Sequence, residues 1–378
     1  MAVRRVLTVV ALVVALALPA GVAAAAEPDP PPATALSLAV NTTRLTHGTP
    51  LTVTARLTSA ETGTPIPDAP VVVERRRPGT TAYTALATLV TDADGRVQFV
   101  SRPTVNAEYA VRHDGDALLG SSSAGPKRVD VAPKLTAVLS RSAARVGTEV
   151  TISGSVAPAH PGDTVRIERY YNGAWHLVTK RTLSGTSTYS AKLTTPASAG
   201  WKKYRVVKGA DRDNVATSSA THRVDNYQLH TYVVRTRGAV TVPKTDFAAA
   251  VAEIYADRRG WIRGHDRFKR VASGGRFTVV LAQARYLPSY NSICSVRYSC
   301  RVGNNVIINQ DRWKWGSRYF PGTRAEYRQM VVNHETGHWL GNGHAYCRGN
   351  GQLAPVMQQQ SKGMQGCKIN SWPLPREL

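Results

Sequence analysis

His334, His338 and His344, with Glu335 and Gly341 between them, spell H-E-x-x-H-x-x-G-x-x-H, and few folds can accommodate that string. A spacing of four puts His334 and His338 one turn apart on the same face of an α-helix, so both rings reach toward one point. The third imidazole can join them only if the helix stops and the chain doubles back. Gly341 supplies that stop, because glycine tolerates the positive φ of a C-terminal cap. Three neutral imidazoles bind Zn²⁺ at about 2.0–2.1 Å each and leave one tetrahedral position open, the pattern of a catalytic rather than a structural zinc. Glu335 follows the first ligand, so its carboxylate lies beside the metal without binding it and can take a proton from a water. The spacing predicts one Zn²⁺ per chain on His334, His338 and His344, with Glu335 as general base.

The flanking residues agree with a buried helix. Pro321-Gly322 breaks the chain, and Thr323-Arg324-Ala325-Glu326 is a T-x-x-E capping box that opens a helix. Tyr327, Met330, Val331, His334 and His338 then form one stripe at helical spacing, so the expected ligands continue the apolar face.

These residues resemble the metzincin superfamily of zinc endopeptidases, whose members also carry a methionine-bearing turn beneath the metal. Ala354-Pro355-Val356-Met357-Gln358 fits that place, with Met357 beyond His344. The run from Val332 to Cys367 is also similar to a little-characterised family of secreted actinobacterial proteins with this motif. The resemblance is confined to residues 226–378 and implies an α+β zinc peptidase domain there. It further implies that the strand before the active-site helix pairs with extended substrate, a role that would fall to Asn305, Val306, Ile307 and Ile308 by β-augmentation. No tyrosine follows directly on the methionine turn, so the tyrosine that some metzincins place there is not expected.

The start of the chain indicates export. Arg4 and Arg5 precede an apolar run from Val6 to Leu18, and Ala24-Ala25-Ala26 before Glu27 is a small-residue cleavage site, so residues 1–26 read as a signal peptide and 27–34 as a linker. No later stretch reaches the roughly 20 apolar residues that a membrane-spanning helix needs. A secreted or cell-surface protein is expected. Its four cysteines, Cys294, Cys300, Cys347 and Cys367, suit an oxidising compartment and read as two disulfides. Of the possible pairings, Cys294 with Cys300 would pinch a polar loop and Cys347 with Cys367 would bracket the methionine turn. A second metal site is disfavoured, because no C-x-x-C spacing is present.

Residues 35–225 have another character: short alternating runs such as Leu51-Thr52-Val53-Thr54-Ala55-Arg56-Leu57, punctuated by turns. The segment repeats itself. Gly48-Thr49-Pro50-Leu51-Thr52-Val53 answers Gly147-Thr148-Glu149-Val150-Thr151-Ile152, Val73-Glu74-Arg75 answers Ile167-Glu168-Arg169, and Arg128-Val129-Asp130 answers Arg223-Val224-Asp225. The period matches one immunoglobulin-like sandwich, which predicts two all-β modules, 35–132 and 133–225, before a zinc domain at 226–378. Asp92-Ala93-Asp94-Gly95 lacks the remaining ligand positions of a calcium loop and is expected as a hairpin turn. In the last region His230–Thr236, Arg276–Ala282 and Asn305–Asn309 read as strands, and Thr245 as the cap of a helix with Phe247, Val251, Ile254 and Tyr255 on one face. His230 and His265 lie outside the motif and are expected to be structural.

The net charge of +23 with a pI near 10.3 is dispersed, and no nucleic-acid motif accompanies it. For an exported chain it favours an anionic cell-surface polymer over nucleic acid as a partner, alongside a peptide or protein substrate. The expected activity is zinc-dependent peptide hydrolysis. The alternatives are a surface-binding protein with a non-catalytic zinc site, for which an intact Glu335 would have no use, and a zinc hydrolase of cell-wall peptides.

Overall fold

The computed structural model describes residues 29–378; the signal peptide expected at 1–26 and the first linker residues lie outside the described residues. Strands dominate, and all three α-helices among the described residues lie in the C-terminal region. They are α1 (Lys244–Ala256), α2 (Gln310–Trp315) and α3 (Arg324–Trp339). None is long and apolar enough to cross a membrane. The chain forms two compact units, one of residues 29–43, 50–101 and 107–129, the other of 44–49, 102–106 and 130–378.

The sequence repeat is a repeat of topology. Thr34–Val40, Leu51–Ser59 and Arg96–Ser101 form one sheet, and Val138–Leu139, Glu149–Ala157 and Thr188–Thr194 form its counterpart. Opposite sheets repeat as well: Pro70–Arg76 pairs with Thr84–Val90 and Ala107–His113, as Thr164–Tyr171 pairs with Ala174–Thr182 and Gly200–Lys208. Even the register irregularity recurs, between Val73 and Glu74 and between Ile167 and Glu168. The glutamate beside each irregularity accepts from an arginine on the neighbouring strand, Arg112 at 3.2 Å and Arg205 at 2.9 Å. In the second module the two sheets share one core, with Val150, Ile152 and Leu193 of one against Val165, Ile167, Tyr204 and Val206 of the other. Alternation of apolar and polar residues produces this directly, since successive side chains leave a strand on opposite faces.

Two expectations change. The Asp92–Gly95 turn, with Gly95 at φ +71° and Asp92 Oδ1 accepting from Asp94 N and Arg96 N, does not close a hairpin. Thr84–Val90 and Arg96–Ser101 belong to different sheets, so the turn carries the chain from one sheet to the other. Thr245 does not cap α1 either. Pro243 is the N-cap, its φ of −57° already fixed by the ring, and the Thr245 hydroxyl instead donates to Asp246.

The boundary expected at 225/226 falls inside one strand, His222–Arg237. Its first residues pair with Gly200–Lys208 of the second module. Its later residues pair in parallel with Asp266–Arg270 and then with Phe277–Ala282. Phe277–Ala282 pairs in parallel with Asn305–Asn309, whose other side carries the short antiparallel strand Cys300–Val302. Both faces of the inner strands are covered. Val279, Leu281, Val306 and Ile308 pack against α1 and α3 through Phe247, Val251, Met330 and Val331. Val280, Ala282 and Ile307 point the other way, toward Leu287 and Cys294. That is why Val279 to Ala282 read as a continuous apolar run.

Candidate metal centre

α3 begins as the sequence indicates. Thr323 Oγ1 accepts from Glu326 N at 3.2 Å, and Glu326 Oε2 accepts from Thr323 N at 2.7 Å, a complete capping box. Tyr327, Met330, Val331 and His334 are buried along one face. The helix ends at Trp339, and Gly341 at φ +104° turns the chain back. That reversal brings the Asn342 carbonyl to His338, whose Nδ1 donates to it at 2.8 Å. His334 Nδ1 donates to the Val356 carbonyl, also at 2.8 Å.

Those two hydrogen bonds fix the tautomers, because a carbonyl can only accept. With hydrogen on Nδ1, both Nε2 atoms carry lone pairs. The Nε2 atoms of His338 and His344 are 3.2 Å apart, and the ligand nitrogens of His334, His338 and His344 lie within 4.8 Å of one another. Two nitrogens on one tetrahedral ion at about 2.0–2.1 Å would be separated by roughly 3.3 Å. The donor set and its spacing therefore fit Zn²⁺. Burial, with further contributions from His338, His344 and Lys362, lowers the His334 pKa to about 3, so it stays the neutral ligand a metal requires. His338 and His344 are also lowered, chiefly by burial.

Glu335 is 5% exposed, and burial raises its carboxyl to about 8, partly offset by the Arg301 guanidinium. A divalent cation on the imidazoles would act in the opposite sense and favour the carboxylate. Arg301, on the strand Cys300–Val302, donates through Nη2 to the His338 carbonyl at 2.7 Å and so ties the end of α3 to that strand. The three histidines and Glu335 open onto a cleft of about 810 Å³. Its walls are the loop carrying Arg297 and Tyr298 and the loop carrying Gln358 to Lys362.

Below the helix, Val356 and Met357 pack with Trp261. A β-carbon on Gly337 would overlap Met357 Sδ and approach the Trp261 ring to 2.7 Å, so only glycine lets the helix settle this closely on the turn. Glu377 pins the turn from the C-terminus: its carboxylate accepts from Val356 N at 3.1 Å and Met357 N at 2.8 Å. Trp261 Nε1 donates to the Asn333 carbonyl at 3.3 Å, joining the same floor to α3.

The structure thus brings together His334, Glu335, His338, His344 and, under them, Met357. Cys294 is bonded to Cys300 and Cys347 to Cys367, and no cysteine is free. His230 faces Asp266 at 2.6 Å and His265 faces Asp225 at 2.6 Å, and neither joins the cluster of His334, His338 and His344. Asn305, Val306, Ile307 and Ile308 do not form the substrate-pairing strand that was expected. Their strand pairs along its length with Phe277–Ala282 and, from Asn305 to Ile307, also with Cys300–Val302, so these three residues offer no backbone edge to a peptide, and Val306 to Ile308 are fully buried. The open edge belongs to Cys300–Val302, too short and too polar to stand out as a strand in the sequence. Arg301, Gly337, Trp261 and Glu377 also escape sequence reasoning. Only Gly337 leaves a signal, a glycine inside the last turn of the helix, where it costs stability unless packing demands it.

Among solved structures, the chain is similar to the adhesin InvE of Yersinia pseudotuberculosis, at 13% identity and a TM-score of 0.25, covering 51% of this chain and 58% of that one. It is similar to the D0-D1 domain of intimin at 12% identity, TM-score 0.21, covering 50% and 97%, and to the human OSCAR ligand-binding domain at 14%, TM-score 0.21, covering 50% and 96%. Similarity at this level bears on neither the fold nor the site. No curated protein matches the chain. The sequence model of a family described as "Protein of unknown function (DUF3152)" matches residues 194–375, a span that contains every residue of the candidate centre except Glu377.

Proposed function

We propose that the chain is a secreted, zinc-dependent peptidase of the metzincin type, carried on two immunoglobulin-like modules. The convergence of three imidazoles, two with their Nε2 lone pairs fixed by Nδ1–H donation, next to a buried carboxyl at an open cleft carries this reading. A structural zinc would have no use for the carboxyl. The methionine turn beneath α3 and the short antiparallel edge strand beside the cleft support the metzincin type. The two disulfides support an oxidising, extracellular location.

Bound to the three imidazoles, Zn²⁺ would polarise the scissile carbonyl and make a water acidic near neutral pH. Glu335 takes the proton of the attacking water and delivers it to the departing amine as the C–N bond breaks. Val356 and Asn342 hold His334 and His338 in the tautomer that leaves Nε2 free. Arg301 fixes the helix end from which the chain turns toward His344.

Glu335→Gln tests the reading. The amide keeps the size of the side chain but accepts no proton, so zinc content should stay at one per chain while peptide turnover falls by roughly 10²–10⁴-fold. Wild-type turnover should vanish with a chelator. A Gln variant that cleaves as fast as wild type, or a zinc-loaded wild type that cleaves no peptide in a mixed library, would overturn it.

A further inference from the structure

The cleft over α3 is electrostatically one-sided. Arg297, Arg301 and Lys362 line it, and Glu335 is its single carboxylate. Arg301 gives its Nη2 to the His338 carbonyl, and its buried Nε has no hydrogen-bond partner. Arg297 and Lys362 make no ion pair with a carboxylate among the described residues, although they stand on opposite walls. Arg297 sits in the loop closed by the Cys294–Cys300 disulfide. Lys362 places its ammonium 5.5 Å from the ring centre of Tyr298 on the facing wall, so it reaches across the opening.

Both walls are held in place. The Arg297 carbonyl accepts from Arg312 Nε at 2.8 Å, and Asn309 Nδ2 donates to the Val296 carbonyl at 2.9 Å. On the other side, Gln358 Nε2 donates to the Met364 carbonyl at 3.0 Å, and Ser317 Oγ donates to the Ser361 carbonyl at 2.7 Å. Cations fixed on such walls, in a concavity that concentrates their field, are arranged to receive a carboxylate, not merely to keep the protein in solution.

We propose that the cleft selects peptides by a carboxylate beside the scissile bond, received by Arg297 and Lys362. The proposal rests on the peptidase reading above and names its substrate class. Neither residue touches the reacting atoms; both act on which peptide is held and in which register.

The test uses the zinc-loaded full chain and three peptides of one sequence: an aspartate near the cleavage site with an amidated end, asparagine in its place with an amidated end, and the asparagine peptide with a free C-terminal carboxylate. Cleavage is followed by mass spectrometry. The aspartate peptide should show kcat/KM roughly tenfold or more above its asparagine counterpart, the order that a charge-assisted hydrogen bond confers. If the free-end peptide is the favoured one, the carboxylate that the cleft receives is the terminal one. In Arg297→Gln/Lys362→Gln the ratio should collapse toward one, whereas Arg297→Lys/Lys362→Arg should retain it. The Glu335→Gln protein provides a readout without turnover: fluorescence anisotropy of the labelled peptides should give the same ranking in Kd. Equal cleavage and equal binding of all three peptides would overturn the proposal and leave the peptidase reading intact. Ranked binding with no cleavage by the wild type would sink the peptidase reading while supporting the carboxylate site.

Discussion

The distance between α3 and the methionine turn is set by one absent methyl group, at Gly337. A β-carbon there meets Met357 Sδ and the Trp261 ring, and both residues are buried in a packed floor. Gly337→Ala should therefore destabilise the fold by about 1–3 kcal/mol, the usual cost of overpacking, despite alanine's better helix propensity. Urea unfolding decides the sign; a more stable Ala variant would show that the floor yields. Glu377 poses the complementary question. Glu377→Ala leaves the Val356 and Met357 N–H groups buried without an acceptor, at about 1–3 kcal/mol each. Because the Val356 carbonyl orients His334, the variant should also bind zinc less tightly, by roughly the 10–100-fold typical of lost outer-shell support. Competition with a chelating dye measures this, and an unchanged Kd would separate the turn from the metal centre.

The element with the clearest written boundary is α3. Thr323 and Glu326 close a capping box as their spacing predicts, because capping is local and needs no tertiary partner. The Glu326 carboxyl is held below its ordinary value of 4.5 by the Thr323 N–H and then the Thr323 hydroxyl. A depressed folded pKa contributes stability that is present above the unfolded value and lost as pH falls through the folded one. Glu326→Gln keeps a side chain that can close the box but removes its charge, so it should cost only about 0.3–1 kcal/mol at neutral pH, and the gap from wild type should narrow as pH drops below 4.5. A gap that widens in acid would contradict the sign. The strand assignments behaved differently. Asn305–Asn309 was legible as a strand from its β-branched run, but whether it lies inside a sheet or at its edge depends on Cys300–Val302, a segment of the chain with no strand signature of its own.

At the scale of the molecule, the strand His222–Arg237 makes the second module and the C-terminal region one structure. Asp225, at its near end and 9% exposed, binds His265 and Arg267 from the C-terminal region. A chain cut at 226 would leave His265 and Arg267 without their carboxylate partner and strip the strand of its pairing with Gly200–Lys208. Losing such a partly exposed, charge-assisted pair costs about 1.5–3 kcal/mol, so a 226–378 fragment should melt roughly 5 °C below a 130–378 fragment. Scanning calorimetry on the two fragments tests this; equal melting temperatures would mean that the shared strand is a linker and not a joint.

The sequence alone determined what is local or periodic: the helix that carries His334 and His338, the reversal at Gly341, the two β modules announced by a repeat, and the position of Met357. Each of these depends on spacing along the chain, which backbone geometry converts directly into direction. Tertiary structure decided the rest. The sheet edge at Cys300–Val302 is only a hairpin turn away from Asn305–Asn309, but Arg301 at the end of α3, Glu377 beneath the turn and the facing cations Arg297 and Lys362 are all contacts between segments distant in sequence. No spacing rule encodes such contacts, because they exist only once packing has chosen which segments meet.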